Sequence, residues 1–518
     1  MNPDSISPSV WVCIAIQVFW LVYSTIRFAK RNDEWPLVAA LFFTYCGGYR
    51  YLRAAWWGMA WGSLESFGLS GVFADSASAK VALTAMVLGE TLLLATYCHF
   101  QNRIVTVARE RLPAVLLARL RSTLLILAPF SVIGTLVARY SGARAAATGK
   151  SAAFQISSYI GEFPLLLVAV AILTVLAWRF GALKNAIQKI SACAFLMVVA
   201  CLTFGPTGRF QFMGWMVAAT YLISTRLFGL RRIAILGIGV ASTLALFGIA
   251  GALRDHQPGK GDLASAGIDR VKSAEDANML DGLTFLMKVY PNMLSYTLGG
   301  EHLEILLRPI PRALWPGKPV GGYMNKLGVF NADSSGTVGI CPTLFGDFYQ
   351  EGGWIGIILC SMIYGWAFAW VVRYSISLRM IFGTLIRACL IAASIPLFRG
   401  GDLPGIYAWL GMAFWPVILF LWWNRRFFWA GSDALPLINY KRRRSQKFTA
   451  AKKALLSRPF KRKSRWRCTE LLNGIRSESR AIAREKRPCD EIEKGLSETI
   501  VSVRSGDKAA TSLPSPQS

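Results

Sequence analysis

Acidic residues and histidines are scarce in this chain. It has 29 Asp and Glu against 57 Lys and Arg, and three His, in 518 residues. No HExxH occurs, and no DxD of the kind that holds a metal–nucleotide-sugar. A soluble nucleotide-sugar donor is therefore not expected, and neither is a resident metal or cofactor. The ten cysteines have no paired spacing, which argues against a zinc site or a disulfide framework. Most of them, including Cys13, Cys46, Cys201 and Cys389, fall inside apolar runs, where Cys acts as a small hydrophobe. The first residues, MNPDSISPS, lack a basic region and a small-residue cleavage site, so the first apolar run is expected to be retained. Nucleotide-binding glycine patterns are incomplete. Thr148-Gly149-Lys150-Ser151 has Arg144 where a P-loop needs glycine. Gly237-Ile238-Gly239 lacks the third glycine of a dinucleotide fingerprint and reads as helix packing.

What the chain has in abundance is hydrocarbon. It is 54% hydrophobic with a mean hydropathy of +0.41. A membrane span takes about 20 apolar residues, and the runs here predict an all-α polytopic membrane protein of about eleven spans. These fall near 10–28, 35–49, 79–100, 120–138, 159–178, 186–204, 210–225, 232–252, 354–372, 381–398 and 406–423. Residues 54–73 read either as a further span or as a re-entrant segment. The organisation is then a bundle of eight spans over 1–252, a long external loop over 253–353, three spans over 354–423 and a basic tail over 424–518.

The net charge of +28 is not a nucleic-acid signal, because it is concentrated in two places. The tail holds 23 Lys and Arg against 9 Asp and Glu, and reads as a disordered cytoplasmic extension on anionic lipid headgroups. The remainder lies in alternate short connections, such as Arg27, Lys30 and Arg31 or Arg226, Arg231 and Arg232. Basic connections stay in the cytoplasm, so the N-terminus is expected outside and the tail inside. The segment 253–353 holds nine basic and eleven acidic residues and is expected outside. Its centre reads as short amphipathic helices, and only 255–278 reads as loose and polar.

Candidate chemistry gathers around that loop. Pro309, Pro311, Pro316 and Pro319 preclude regular helix over 309–319, just past its midpoint. Arg308, Arg312 and Lys318 are interleaved there with Trp315. Two further arginines, Arg209 and Arg399, stand beside glycines on the expected outer side, where basic residues are disfavoured. Guanidinium binds phosphate oxygens bidentately, so the arginines suggest a pocket for a phosphate-bearing lipid headgroup. Asp347, with Tyr349 two residues on, is the best-placed general base, expected in a loop ahead of a helix starting near Trp354. Glu301 and His302 are weaker candidates, and Cys341 reads as buried. Glu90, in mid-span, is expected to bond a neighbouring helix rather than to relay protons.

The run Pro311-Arg312-Ala313-Leu314-Trp315-Pro316-Gly317-Lys318-Pro319, then Pro342-Thr343, Gly346-Asp347-Phe348-Tyr349 and Gly353-Trp354-Ile355-Gly356, resembles the Wzy-type oligosaccharide repeat unit polymerases, the O-antigen polymerase family. Thr207-Gly208-Arg209 and Phe398-Arg399-Gly400 look like that family's arginine–glycine positions. The resemblance covers roughly 200–410 and is strongest over 308–365. It implies glycosyl transfer at the outer face of the bacterial inner membrane, in O-antigen or exopolysaccharide synthesis. The substrates would be glycans on polyprenyl pyrophosphate. Arg209, Arg308, Arg312, Lys318 and Arg399 would hold the pyrophosphate, with Trp315 and Tyr349 lining the site. Asp347 would act as base, and a flippase and a chain-length regulator would be partners. A ligase of related architecture, with His302 as base, and a polysaccharide transporter are the alternatives.

Overall fold

The computed structural model describes residues 6–65, 69, 71–105, 112–147, 163–204, 209–227, 229–255, 263–273, 278–308, 310, 314–315, 322–328 and 341–428. Met1–Ala430 is one compact unit. The second unit, Gly431–Ser518, carries nearly all of the basic tail and lies outside the described residues. So does the Thr148–Ser151 stretch.

The described residues are helical, with no β-strand among them. In chain order the helices are α1 (Pro8–Arg31), α2 (Trp35–Thr44), α3 (Arg50–Trp57), α4 (Ser76–Phe100), α5 (Ala114–Ala147), α6 (Leu166–Arg179), α7 (Ala186–Thr203) and α8 (Arg209–Ser224). Then come α9 (Leu230–Asp255), α10 (Leu263–Ser273), α11 (Met279–Val289), α12 (Gly300–Leu307), α13 (Tyr323–Lys326), α14 (Thr343–Ser377), α15 (Met380–Arg399) and α16 (Leu403–Trp423). Eight of them are long and apolar enough to cross a membrane: α1, α4, α5, α7, α9, α14, α15 and α16. The other three expected spans are helical but shorter. Residues 35–49 divide between α2 and a π-turn, Tyr45–Tyr49, while Phe163–Arg179 and Phe212–Ser224 are apolar helices of fewer than 18 residues. Among the described residues, length and composition thus support eight spans, and the count of eleven is not confirmed.

One open alternative is decided and one further expectation changes. After α3 the chain turns at Gly58, φ +66°, into an irregular loop. Leu64 N–H donates to the Val72 carbonyl (2.8 Å) and Ala74 N–H to the Gly62 carbonyl (2.9 Å), so 54–73 is not a spanning helix. And 255–278 is not uniformly loose, since α10 lies within it.

Local rules explain the helix ends. Asp75 accepts from Ser78 N–H (2.8 Å) and starts α4 as a capping box. Asn32 takes the left-handed conformation, φ 54°, that closes α1, and Pro36 sits in the first turn of α2, where its missing N–H costs nothing. The π-turn is held by Gln17 of α1, whose Oε1 accepts from Gly48 N–H (2.9 Å). Its Nε2 reaches Glu90 of α4 (2.9 Å) and the Phe43 carbonyl (3.1 Å). Glu90 therefore bonds a neighbouring helix, as expected.

Close packing depends on small residues. A Cβ at Gly365 of α14 would lie 2.5 Å from the Leu93 carbonyl of α4, and one at Gly239 of α9 would lie 2.2 Å from Thr220 of α8. One core cluster forms around α1, α2, α4, α11 and α14, and a second around α5, α6, α8 and α15. Trp35 joins them, with its ring against Phe398 and its Nε1–H donating to Ser394 (2.9 Å). At the bundle end opposite Arg399 lies a buried ionic cluster. Arg27 pairs with Asp33 (2.8 Å), and Asp33 accepts from the Tyr97 hydroxyl (2.7 Å). Glu34 lies between Arg387 (3.3 Å) and Arg232 (3.7 Å), and Arg387 donates to the Tyr221 hydroxyl (3.0 Å).

The charge bias read from the sequence predicts a cytoplasmic position for this clustered end. A reporter that works only outside the cytoplasm is expected to be active when fused near residue 270 and silent near 450. Activity at 450 would reverse the orientation.

Candidate functional site

The turn Arg399-Gly400-Gly401-Asp402 between α15 and α16 is the hub. Gly400 and Gly401 have φ of +66° and +108°, a region L side chains avoid. A Cβ on Gly400 would lie 2.2 Å from the Thr343 carbonyl and 2.8 Å from Asp347 Oδ2. The turn thus rests on the first turns of α14. Gly401 N–H donates to both oxygens of Asp347, at 2.9 and 3.2 Å. Asp402 accepts from Gly405 N–H (3.1 Å), which caps α16, and from Arg308 Nη2 at 2.9 and 3.2 Å. Arg399 is half-buried at the last position of α15.

The sequence expected Asp347 in an open loop, but it lies inside α14 at 0% exposure. The helix starts at Thr343 because Leu344, Phe345 and Phe348 bury at helical spacing, and it breaks nine residues later at Gly352-Gly353. Gly353 has φ +62° and sits against the Tyr296 hydroxyl. A carboxylate this enclosed holds the turn rather than meeting a solute. Tyr349, expected to touch substrate, is buried too and packs edge-on against Tyr296 and Trp354.

The residue that reasoning from sequence missed is Glu351, immediately before the break. Its carboxylate accepts from the Thr297 hydroxyl (2.9 Å), Gly299 N–H, His302 N–H (3.3 Å) and His302 Nδ1 (2.7 Å). Thr297 and Leu298 N–H bond the carbonyls of Gln350 and Glu351, both at 2.9 Å. So Glu351 fixes the 297–302 loop as well as the imidazole. A carboxylate on Nδ1 leaves Nε2 as the accepting nitrogen. Nε2 faces the Tyr364 hydroxyl at 3.2 Å, and Tyr407 donates to Tyr364 (3.1 Å). The His302 side chain is one-third exposed, which makes it the more accessible base. The signal available in the sequence was an acid ahead of Gly-Gly at the start of an apolar helix.

Glu301 turns the other way, fully buried against Lys326 of α13. Burial raises its pKa and Lys326 opposes the rise. Gly322, before α13, approaches the Gly401 carbonyl, so this segment also reaches the hub turn. Cys341 is buried, as expected. Trp315 is exposed. Arg312 and Lys318 lie outside the described residues, as does the side chain of Arg209, which heads α8.

Tertiary packing brings the Arg209 and Arg399 positions to neighbouring helix ends. Tyr221 meets Arg387, and Gly214 meets the Ala392 carbonyl, so α8 and α15 run antiparallel. Continuing that register, residue 209 ends near 399. No group of His, Cys, Asp and Glu able to hold a metal is present among the described residues. No family model, curated protein or solved structure matches the chain.

Proposed function

We propose that this protein polymerises lipid-linked oligosaccharide repeat units, transferring glycan from a polyprenyl-pyrophosphate donor to an acceptor unit at the outer face of the bacterial inner membrane. The observation that carries the reading is the clustering at one bundle end. Arg399 and Arg308 flank a glycine turn, and α14, the helix that supports the turn, also carries Glu351, which holds His302 of α12. In the reaction an acceptor hydroxyl oxygen attacks the anomeric carbon. The bond from that carbon to the pyrophosphate oxygen breaks, and the pyrophosphate leaves on its lipid. Arginines at 399, 308, 209 and 312, with Lys318, bind the leaving phosphates and offset their growing charge. His302, oriented by Glu351, takes the hydroxyl proton at Nε2. Asp347 holds the arginine-bearing turn in place.

Bidentate phosphate binding needs the planar guanidinium. Arg399→Lys is therefore expected to slow transfer about 100-fold or more, as loss of one preorganised donor does. The assay is polymer length on extracted lipid-linked glycan. Full activity with lysine would make Arg399 a generic surface charge. The accessible His302 also favours a second reading, a ligase moving finished glycan to another acceptor. A strain without the protein separates the two: single repeat units support the polymerase, and long polymer held on its lipid supports the ligase.

A further inference from the structure

An apolar groove lies between α2, α8, α9 and α15, with Val271 of α10 and Met279 of α11 also lining it. Leu41, Phe42, Val217, Leu244 and Ile395 are among its walls. Its few polar groups are already satisfied. The Thr243 hydroxyl donates to the Gly239 carbonyl (2.7 Å), and the Tyr45 hydroxyl donates to the Val271 carbonyl (2.8 Å). Such a wall recognises hydrocarbon and nothing that needs a hydrogen bond. Leu41, 41% exposed, lies at its open side.

The two ends differ in charge. At one end Val38 of the lining stands one turn beyond Glu34, on the side of the buried Glu34–Arg387 pair. At the other, Ile395 stands one turn before Arg399 on α15, and Met213 stands one turn after Arg209 on α8. Residues four apart share a helix face. The groove therefore runs from the side of the buried ion pair toward the helix ends that carry positions 209 and 399. This is the polarity of a lipid with a long neutral chain and an anionic head.

We infer that the groove seats the isoprenoid chain of the lipid carrier, with its phosphate at the rim formed by the outer ends of α8 and α15. The inference rests on the proposed function, which makes a polyprenyl phosphate ester the substrate. It adds the place of the chain: bound between helices, so that the anomeric carbon is held at a fixed depth below the Arg399–Asp402 turn.

The test is photolabelling of the purified full chain in lipid nanodiscs with a diazirine-bearing polyprenyl phosphate. Label is expected on peptides of α2 and α9. It should fall about tenfold in Val217→Trp, the loss expected for displacing roughly two chain methylenes. Leu41→Trp, at a position already 41% exposed, should fall likewise, so it decides the matter if Val217→Trp does not fold. Labelling elsewhere, or undiminished labelling in Leu41→Trp, overturns the groove assignment. Equal labelling by a diazirine phosphatidylglycerol overturns it as well, because the groove would then hold ordinary membrane lipid. The functional reading fails separately. If glycan length does not depend on the protein while groove labelling persists, the carrier-chain site stands and the polymerase does not.

Discussion

Replacing Glu34 with alanine is expected to cost about 3–5 kcal/mol of folding stability, the range for removing one partner of a buried ion pair. Glu34 is 5% exposed and lies between Arg387 of α15 and Arg232 of α9. Both arginines are buried as well. Without the carboxylate, two guanidinium groups face each other across a site with little water. The loss should appear as a lower unfolding midpoint in detergent. Removing charge from both sides should be far milder, because the residual penalty is the unpaired charge. Glu34→Ala with Arg387→Met is therefore expected to recover a large part of the loss. A Glu34→Ala change below about 1 kcal/mol, the level of a surface pair, would mean that water reaches the cluster.

Gly400→Ala is expected to reduce glycosyl transfer by about 100-fold, with a smaller loss of stability. The left-handed φ of +66° costs a β-carbon about 1–2 kcal/mol. The new methyl would also sit 2.2 Å from the Thr343 carbonyl, a backbone atom that cannot swing aside. The turn must lift from α14, taking Arg399 and Asp402 with it and stretching the Gly401–Asp347 bonds. A displacement of about 1 Å at a positioning element is enough for a 100-fold effect. Transfer and unfolding measured on the same preparation separate the two consequences. Asp347→Ala should reproduce the defect, since it removes the acceptor that anchors Gly401 N–H. Normal transfer in both variants would detach the turn from function.

The helices were legible in the sequence because their causes are local. Asp75 with Ser78, Asn32 with Pro36, and the apolar runs of α1, α4, α9 and α15 each act within a few residues. So was the packing role of Gly239. The span number was less legible, because α2, α6 and α8 are apolar but short, and composition alone does not measure helix length. The start of α14 was placed too late, near Trp354 instead of Thr343. Gly346 and Gly352-Gly353 are alike as letters, and only the burial of Leu344, Phe345 and Phe348 keeps the first stretch helical. Arg209 and Arg399 stood out as singular charges beside glycines, yet nothing local joins them. Their adjacency comes from α8 lying antiparallel to α15, a contact between residues more than 160 apart in the chain. Glu351 with His302 and Arg308 with Asp402 are separated by 49 and 94 residues. The sequence by itself determined a multi-helix membrane chain with a charged, glycine-rich stretch near one end. The tertiary structure decided which charges meet, because ion pairing depends on distance in space and residue identity carries no information about its distant partner.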